Sequence, residues 1–320
     1  MAALGTGENR ASQVKGMTLV AIATIVWASG GLFTRLLPFD LWTIVFWRGV
    51  FATLFIGAYV LYCFSRSTLT VVLGAGFEGF LVAIFSTATI ILFPAAFLHT
   101  SVANAFTIIT ALPFVTAAIA WLWMRERPSM ATMVASCFAL LGIVIMLGPT
   151  AGGPQLGDLL AVLGTISQAL MTVIIRRNPD VKMVPMAWTA IVLSVVISYP
   201  LAEHLWDLTG RDYVVAAGFG LGPMTLGMML YVIGSGLIPS TLTALINTME
   251  APIGALWAWA GVGEVPAVET IIGGGIVLAS VFGRLRGEQR PADKASEMQP
   301  GTNQDPQVRP ATSNAKKKKK

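Results

Sequence analysis

Two stretches, LPFVTAAIAWLWMRERP at Leu112–Pro128 and APIGALWAWAGVGEVP at Ala251–Pro266, decide the fold. Each is an apolar run that opens on a proline and closes on a glutamate with a second proline two residues on. Laid over one another at offsets of 139 and then 138 residues, they pair Pro113 with Pro252, Glu126 with Glu264 and Pro128 with Pro266. Working back toward the N-terminus, an offset of 141 pairs Gly16 with Gly157, Thr24 with Thr165, Ala28 with Ala169, Arg35 with Arg176, Pro38 with Pro179 and Trp47 with Trp188. The chain is a duplication.

Composition states what was duplicated. The 320 residues are 55% hydrophobic and only 12% charged, with a mean hydropathy of +0.73, whereas a soluble domain carries about 25% charged residues. With charged and turn-forming residues as punctuation, ten apolar segments emerge. They are Met17 to Leu36, Leu41 to Tyr62, Val71 to Leu92, Ser101 to Met124, Met130 to Leu147, Gly157 to Ile175, Val184 to Leu201, Tyr213 to Ser235, Ser240 to Val262 and Val268 to Phe282. Most match the roughly 20 residues that cross a bilayer as a helix, and none alternates as barrel strands do. The predicted fold is all-α integral membrane, with ten transmembrane helices. Five spans per copy is an odd number, so the second copy must run upside down relative to the first, giving two inverted five-helix repeats.

Charge sets the orientation. Of the 21 Lys and Arg, all but Arg35, Arg211 and the intramembrane Arg48 fall on the side of the N-terminus. Basic loops face the cytoplasm, so both termini are predicted cytoplasmic. The formal charge of +5 is therefore a topological signal rather than a nucleic-acid footprint. From Gly287 the chain is rich in Pro, Gln, Asp and Lys, a composition of disorder. Its final five lysines are either a plain solvated end or a contact for anionic lipid.

The chain resembles the drug/metabolite transporter superfamily, in particular ten-helix proteins built from two EamA-type repeats. The resemblance spans about Gly16 to Arg286 and is carried by DLWTIVFWRG at Asp40–Gly49, TSVANAFTIITALPFVTAAIAWLWMRERPS at Thr100–Ser129 and STLTALINTMEAPIGALWAWAGVGEVP at Ser240–Pro266. It implies four parts: a cytoplasmic N-terminal segment (1–16), a first repeat (17–148), a second repeat (157–286) and a basic cytoplasmic tail (287–320). It also implies a secondary exporter, less often an importer, of small metabolites in a bacterial inner (plasma) membrane. No cofactor, metal or nucleic acid is expected. The two histidines and two cysteines are scattered, which argues against an intramembrane enzyme, and no GxxxxGK[ST] phosphate loop occurs. A non-transporting scaffold or sensor is the alternative.

Residues kept in both copies are expected to serve the frame, and polar residues present in only one to serve a solute. The asymmetric pairs are Glu250 with Ala111, Arg48 with Thr189, Asn247 with Ile108, Asn104 with Thr243 and Gln168 with Trp27. Hence Glu250, Asn247, Arg48, Trp27, Gln168 and Asn104 are the candidate substrate-binding residues. Glu250 carries the most weight, because a carboxylate at mid-depth costs about 2.5–3.5 kcal/mol on insertion scales. Four sources could offset it: a substrate amine, a proton carried in turnover, Arg48, or backbone near Pro252. Glu78 is either an anchor or a pathway residue. Glu126, Glu264, Arg35 and Arg176 read as anchors at span ends. Gly275, Ala279 and Gly283, and Ala131, Ala135 and Ala139, form small-residue stripes that suit packing between the halves or a homodimer face.

Overall fold

The computed structural model describes residues 2–64, 74–125, 130–146, 155–178, 183–238, 243 and 246–280. Among them are helices and turns, and no strand. The helices are α1 (Ala2–Ala28), α2 (Gly30–Leu36), α3 (Leu41–Phe64), α4 (Gly76–His99), α5 (Val102–Ile109), α6 (Leu112–Met124), α7 (Met130–Met146), α8 (Leu156–Arg177), α9 (Met183–Ser198), α10 (Gly210–Phe219), α11 (Met228–Ser235), α12 (Glu250–Val262) and α13 (Val268–Ser280). A π-helical stretch, Gly220–Gly227, joins α10 to α11.

Six helical stretches are long and apolar enough to cross a membrane: Ser12–Leu36, Leu41–Val60, Gly76–His99, Val102–Trp123, Leu156–Ile175 and Gly210–Ser235. Three shorter apolar helices, Met133–Ile145, Pro185–Leu201 and Val268–Ser280, lie at three further predicted spans. Large apolar side chains face outward along them, such as Leu122 at 79% and Val214 at 72% exposure. In water such a surface would be an association hazard; against lipid tails it is the stable arrangement.

Several spans are interrupted. Ser29 separates α1 from α2, and Thr110–Ala111 separates α5 from α6, which restarts with Pro113 in its first turn. The turn Thr248–Met249 precedes α12, which restarts at Glu250 with Pro252 inside its first turn. Proline lacks an N–H and clashes with the preceding turn, so a helix re-initiates there at little cost. The two interruptions occupy matched positions of the duplicated stretches. Their far ends match as well: Arg125 closes α6 at φ 57° and Gly263 closes α12 at φ 72°, both left-handed caps.

Packing repeats the same correspondence. α4 runs along α8, and α1 runs along the π stretch and α11. α9 lies against α3 and α4, and α12 against α1, α2 and α5. The paired glycines Gly16 and Gly157 sit where these contacts are closest. A Cβ on Gly157 would lie 2.7 Å from the Ala96 carbonyl oxygen, and one on Gly16 would lie 3.0 Å from that of Gly234. Around α5 the core gathers Phe106 and Ile108 against Ala96, Ala161, Ala251 and Ala258.

The small-residue stripes resolve in part. Ala135 is buried beside Val277, and α7 approaches α13 at Gly142, whose Cβ would meet the Gly273 carbonyl oxygen at 2.6 Å. Gly275 faces open space and Ala279 is exposed. Glu126, Gly283, the side chains of Ala131, Ala139 and Arg176, and the C-terminal tail lie outside the described residues.

Candidate functional site

At the interruption before α12, four helical segments bring polar and aromatic groups together. Thr24 and Trp27, three apart, share one face of α1. Beside them Asn247 precedes the turn and Glu250 follows it. Asn247 and Glu250 thus flank a break instead of sharing one continuous helix. The Thr24 hydroxyl donates to Asn247 Oδ1 at 3.1 Å or, by rotation, to its own helix's Val20 carbonyl at 2.9 Å. From α11, the Tyr231 hydroxyl lies within interaction range of the Asn247 side chain and of Glu250. The Trp27 and Tyr231 rings stand 4.8 Å apart, tilted by 41°. Gly227 makes room for the indole, since a Cβ there would lie 2.6 Å from Trp27 Cδ1.

Glu250 is half-buried in the first turn of α12. The positive end of that helix favours a carboxylate by about 0.3–1 kcal/mol, a fraction of the insertion cost. Among the described residues the ion pairs are Arg35 with Glu264 and His204 with Asp207, and neither reaches Glu250.

Arg48 is placed elsewhere. It is 5% exposed; its Nη2 donates to the Ile90 carbonyl, and its guanidinium lies 4.8 Å over the Phe219 ring. The reason lies in α4, where Pro94 stands one turn after Ile90. Lacking an N–H, Pro94 leaves the Ile90 carbonyl without its helical donor, and Arg48 supplies one. Asn104 belongs to a third place: its Oδ1 accepts from the Thr270 hydroxyl of α13, and its backbone N–H is capped by Ser101 Oγ at 3.0 Å. Gln168, on α8, has a buried Oε1 without a hydrogen-bonding partner among the described residues. No hydrogen bond among the described residues joins it to Trp27, with which the repeat pairs it.

The span-end residues form a network at one end of the bundle. Arg35 Nε lies 3.2 Å from Glu264 Oε2, and Arg35 Nη2 donates to the Thr100 carbonyl at 2.9 Å. Glu264 Oε1 accepts the Val102 N–H at the start of α5 at 2.6 Å. Thr100 donates through its hydroxyl to Asp158 of α8 at 2.7 Å. Arg35, predicted to reach for headgroups, instead joins α2, α4, α5, α8 and the α12–α13 connection. At the opposite end of α4 a cavity of about 200 Å³ is lined by Phe77, Glu78, Trp123, Ile174, Arg177 and Asn178 among others. Glu78 therefore borders a cavity.

Sequence reasoning picked out Glu250, Asn247 and Trp27, which the structure brings together, and it missed Tyr231 and Thr24. A lone tyrosine in the aliphatic run MMLYVIG was the available signal for the first. Thr24 carries no such signal, since its repeat partner Thr165 is also a threonine.

Comparison with known proteins agrees with this architecture. The profile of the EamA-like transporter family matches residues 14–148 and 155–285. The chain is 27% identical over 186 residues to an S-adenosylmethionine uptake transporter of Rickettsia bellii, covering 57% of this chain and 63% of that protein. It is 24% identical over 223 residues to solute carrier family 35 member G1 of Mus musculus, covering 64% and 60%. The alignments thus span about three fifths of these relatives. A protein crystal structure 17% identical in sequence superimposes with a TM-score of 0.57 over 86% of this chain and 98% of the other, which is a likeness of fold.

Proposed function

The chain belongs to the EamA-like transporter family, and from that premise we propose that it is a secondary transporter, working as an exporter, of a small polar or amphipathic metabolite such as an amino acid or related compound. It crosses a bacterial inner membrane ten times as two inverted five-helix repeats with both termini in the cytoplasm, and the halves alternate in opening to either side. The basic tail contacts anionic lipid. The observation that carries the reading is the assembly of Thr24, Trp27, Tyr231, Asn247 and Glu250 from both halves of the chain at a helix interruption. Broken helices at the junction of repeats are where transporters hold solutes. The network at Arg35 and Glu264, opposite the cavity at Glu78 and Arg177, suits a conformation closed at one end. Glu250 is the candidate for coupling transport to a proton.

The test is counterflow in proteoliposomes loaded in turn with pooled amino acids, amines and purine-related metabolites. S-adenosylmethionine is added because a relative carries that name. Saturable counterflow that Glu250→Gln abolishes supports the reading, and accompanying proton movement assigns coupling to Glu250. Absence of counterflow from every pool returns the chain to the scaffold or sensor alternative.

A further inference from the structure

Resting on the transporter reading, we infer that Glu250, Trp27 and Tyr231 form a receptor for an organic cation, so that the transported solute carries an ammonium or other onium centre. Glu250 sits in the bundle with no cationic side chain paired to it among the described residues. The buried cation of the same bundle, Arg48, is committed to the Ile90 carbonyl and the Phe219 ring. The chain therefore places negative charge at the helix interruption and supplies the counter-charge elsewhere. A cationic solute, or a proton when the solute is absent, is the remaining source.

Two further features narrow its chemistry. The tilted rings of Trp27 and Tyr231 offer π-faces, which attract cations whose charge is spread over carbon-bearing groups. A small inorganic cation asks for several oxygen ligands in place of rings. Gly227 yields the space that the bulky indole occupies. Asn247, held by the Thr24 hydroxyl and near Tyr231, supplies an oriented amide beside the carboxylate. That amide suits a polar group next to the cationic centre.

The experiment uses the full chain in proteoliposomes and sorts probes by charge. One pool holds primary and quaternary amines, one holds zwitterionic amino acids, one holds monocarboxylates and one holds uncharged nucleobases and sugars. Saturable flux is expected from the amine or amino-acid pools and not from the other two. With the best probe, Glu250→Gln is expected to raise KM at least tenfold, Glu250→Asp to restore most of it, and Trp27→Leu to raise KM more than Trp27→Phe. Flux confined to carboxylates or uncharged solutes overturns the inference and leaves the transporter reading intact. So does a KM for the amine probe that Glu250→Gln leaves within twofold. No flux from any pool overturns both. Elution of each variant as the wild-type species in size-exclusion chromatography separates lost recognition from lost fold.

Discussion

Replacing Glu264 with glutamine tests whether the network it forms with Arg35 and Val102 holds one end of the bundle closed. The carboxylate uses one oxygen for Arg35 at 3.2 Å and the other for the Val102 N–H at 2.6 Å. A glutamine oxygen keeps one of these acceptors, and its NH2 then turns toward a guanidinium that can only donate. A hydrogen bond to a charged group contributes about 1.5–3 kcal/mol. The side chains of Arg35 and Glu264 are 30% and 20% exposed, and solvent screening favours the lower part of that range, about 1.5–2 kcal/mol. At 1.4 kcal/mol per factor of ten, the closed end loses roughly 10- to 30-fold in its equilibrium against open forms. The readout is a cysteine at Ala103, 5% exposed behind the network, in a background with Cys63 and Cys137 replaced by alanine. Its labelling by a membrane-impermeant maleimide, applied from the face opposite the termini, should accelerate by that factor. The exchange Arg35→Glu with Glu264→Arg should recover only part of the effect, because arginine cannot accept the Val102 N–H. Labelling within twofold of the parent would refute the network as a closure.

Three further outcomes follow from packing. Gly157→Ala places a methyl 2.7 Å from the Ala96 carbonyl oxygen, and because backbone cannot rotate away, α8 and α4 must separate. The expected cost is about 1–3 kcal/mol, seen as a lower Tm in detergent; an unchanged Tm would contradict the close approach. If Arg48 serves the carbonyl that Pro94 leaves free, Arg48→Met should destabilise less by about 1 kcal/mol when Pro94→Ala has restored the helical N–H, as a double-mutant cycle measures. Equal costs in both backgrounds would sever that link. Gly227→Ala should displace the Trp27 indole and raise the KM for the transported solute several-fold while leaving expression unchanged; an unaffected KM would remove Trp27 from the site.

Much of the frame was legible because it repeats. Apolar length set the span positions, whereas the helix restarts at Pro113 and Pro252, inside segments that read as continuous spans, are visible only in the structure. The glycine pair Gly16 and Gly157 stood out in the same alignment, and both fall at close helix contacts. The site was legible only where the repeat is broken. Glu250, Asn247 and Trp27 have unlike partners in the other copy and proved to be neighbours. Arg48 and Asn104 passed the same filter yet answer structural needs, a proline-freed carbonyl and a hydroxyl of α13. Asymmetry marks a departure from the frame without saying what the departure serves.

Hydropathy, the internal repeat and the basic-residue bias are properties of the one-dimensional chain, since insertion responds to the length, apolarity and flanking charge of each segment. Those alone determined that this is a duplicated helical membrane chain. Which polar groups meet was decided by tertiary packing, because a hydrogen bond between residues such as Thr24 and Asn247, 223 positions apart, depends on helix rotation and depth. Arg35 shows the difference. Its position at a span end is written in the sequence, but its partner Glu264 is reached only when the α2 end and the α12–α13 connection pack together.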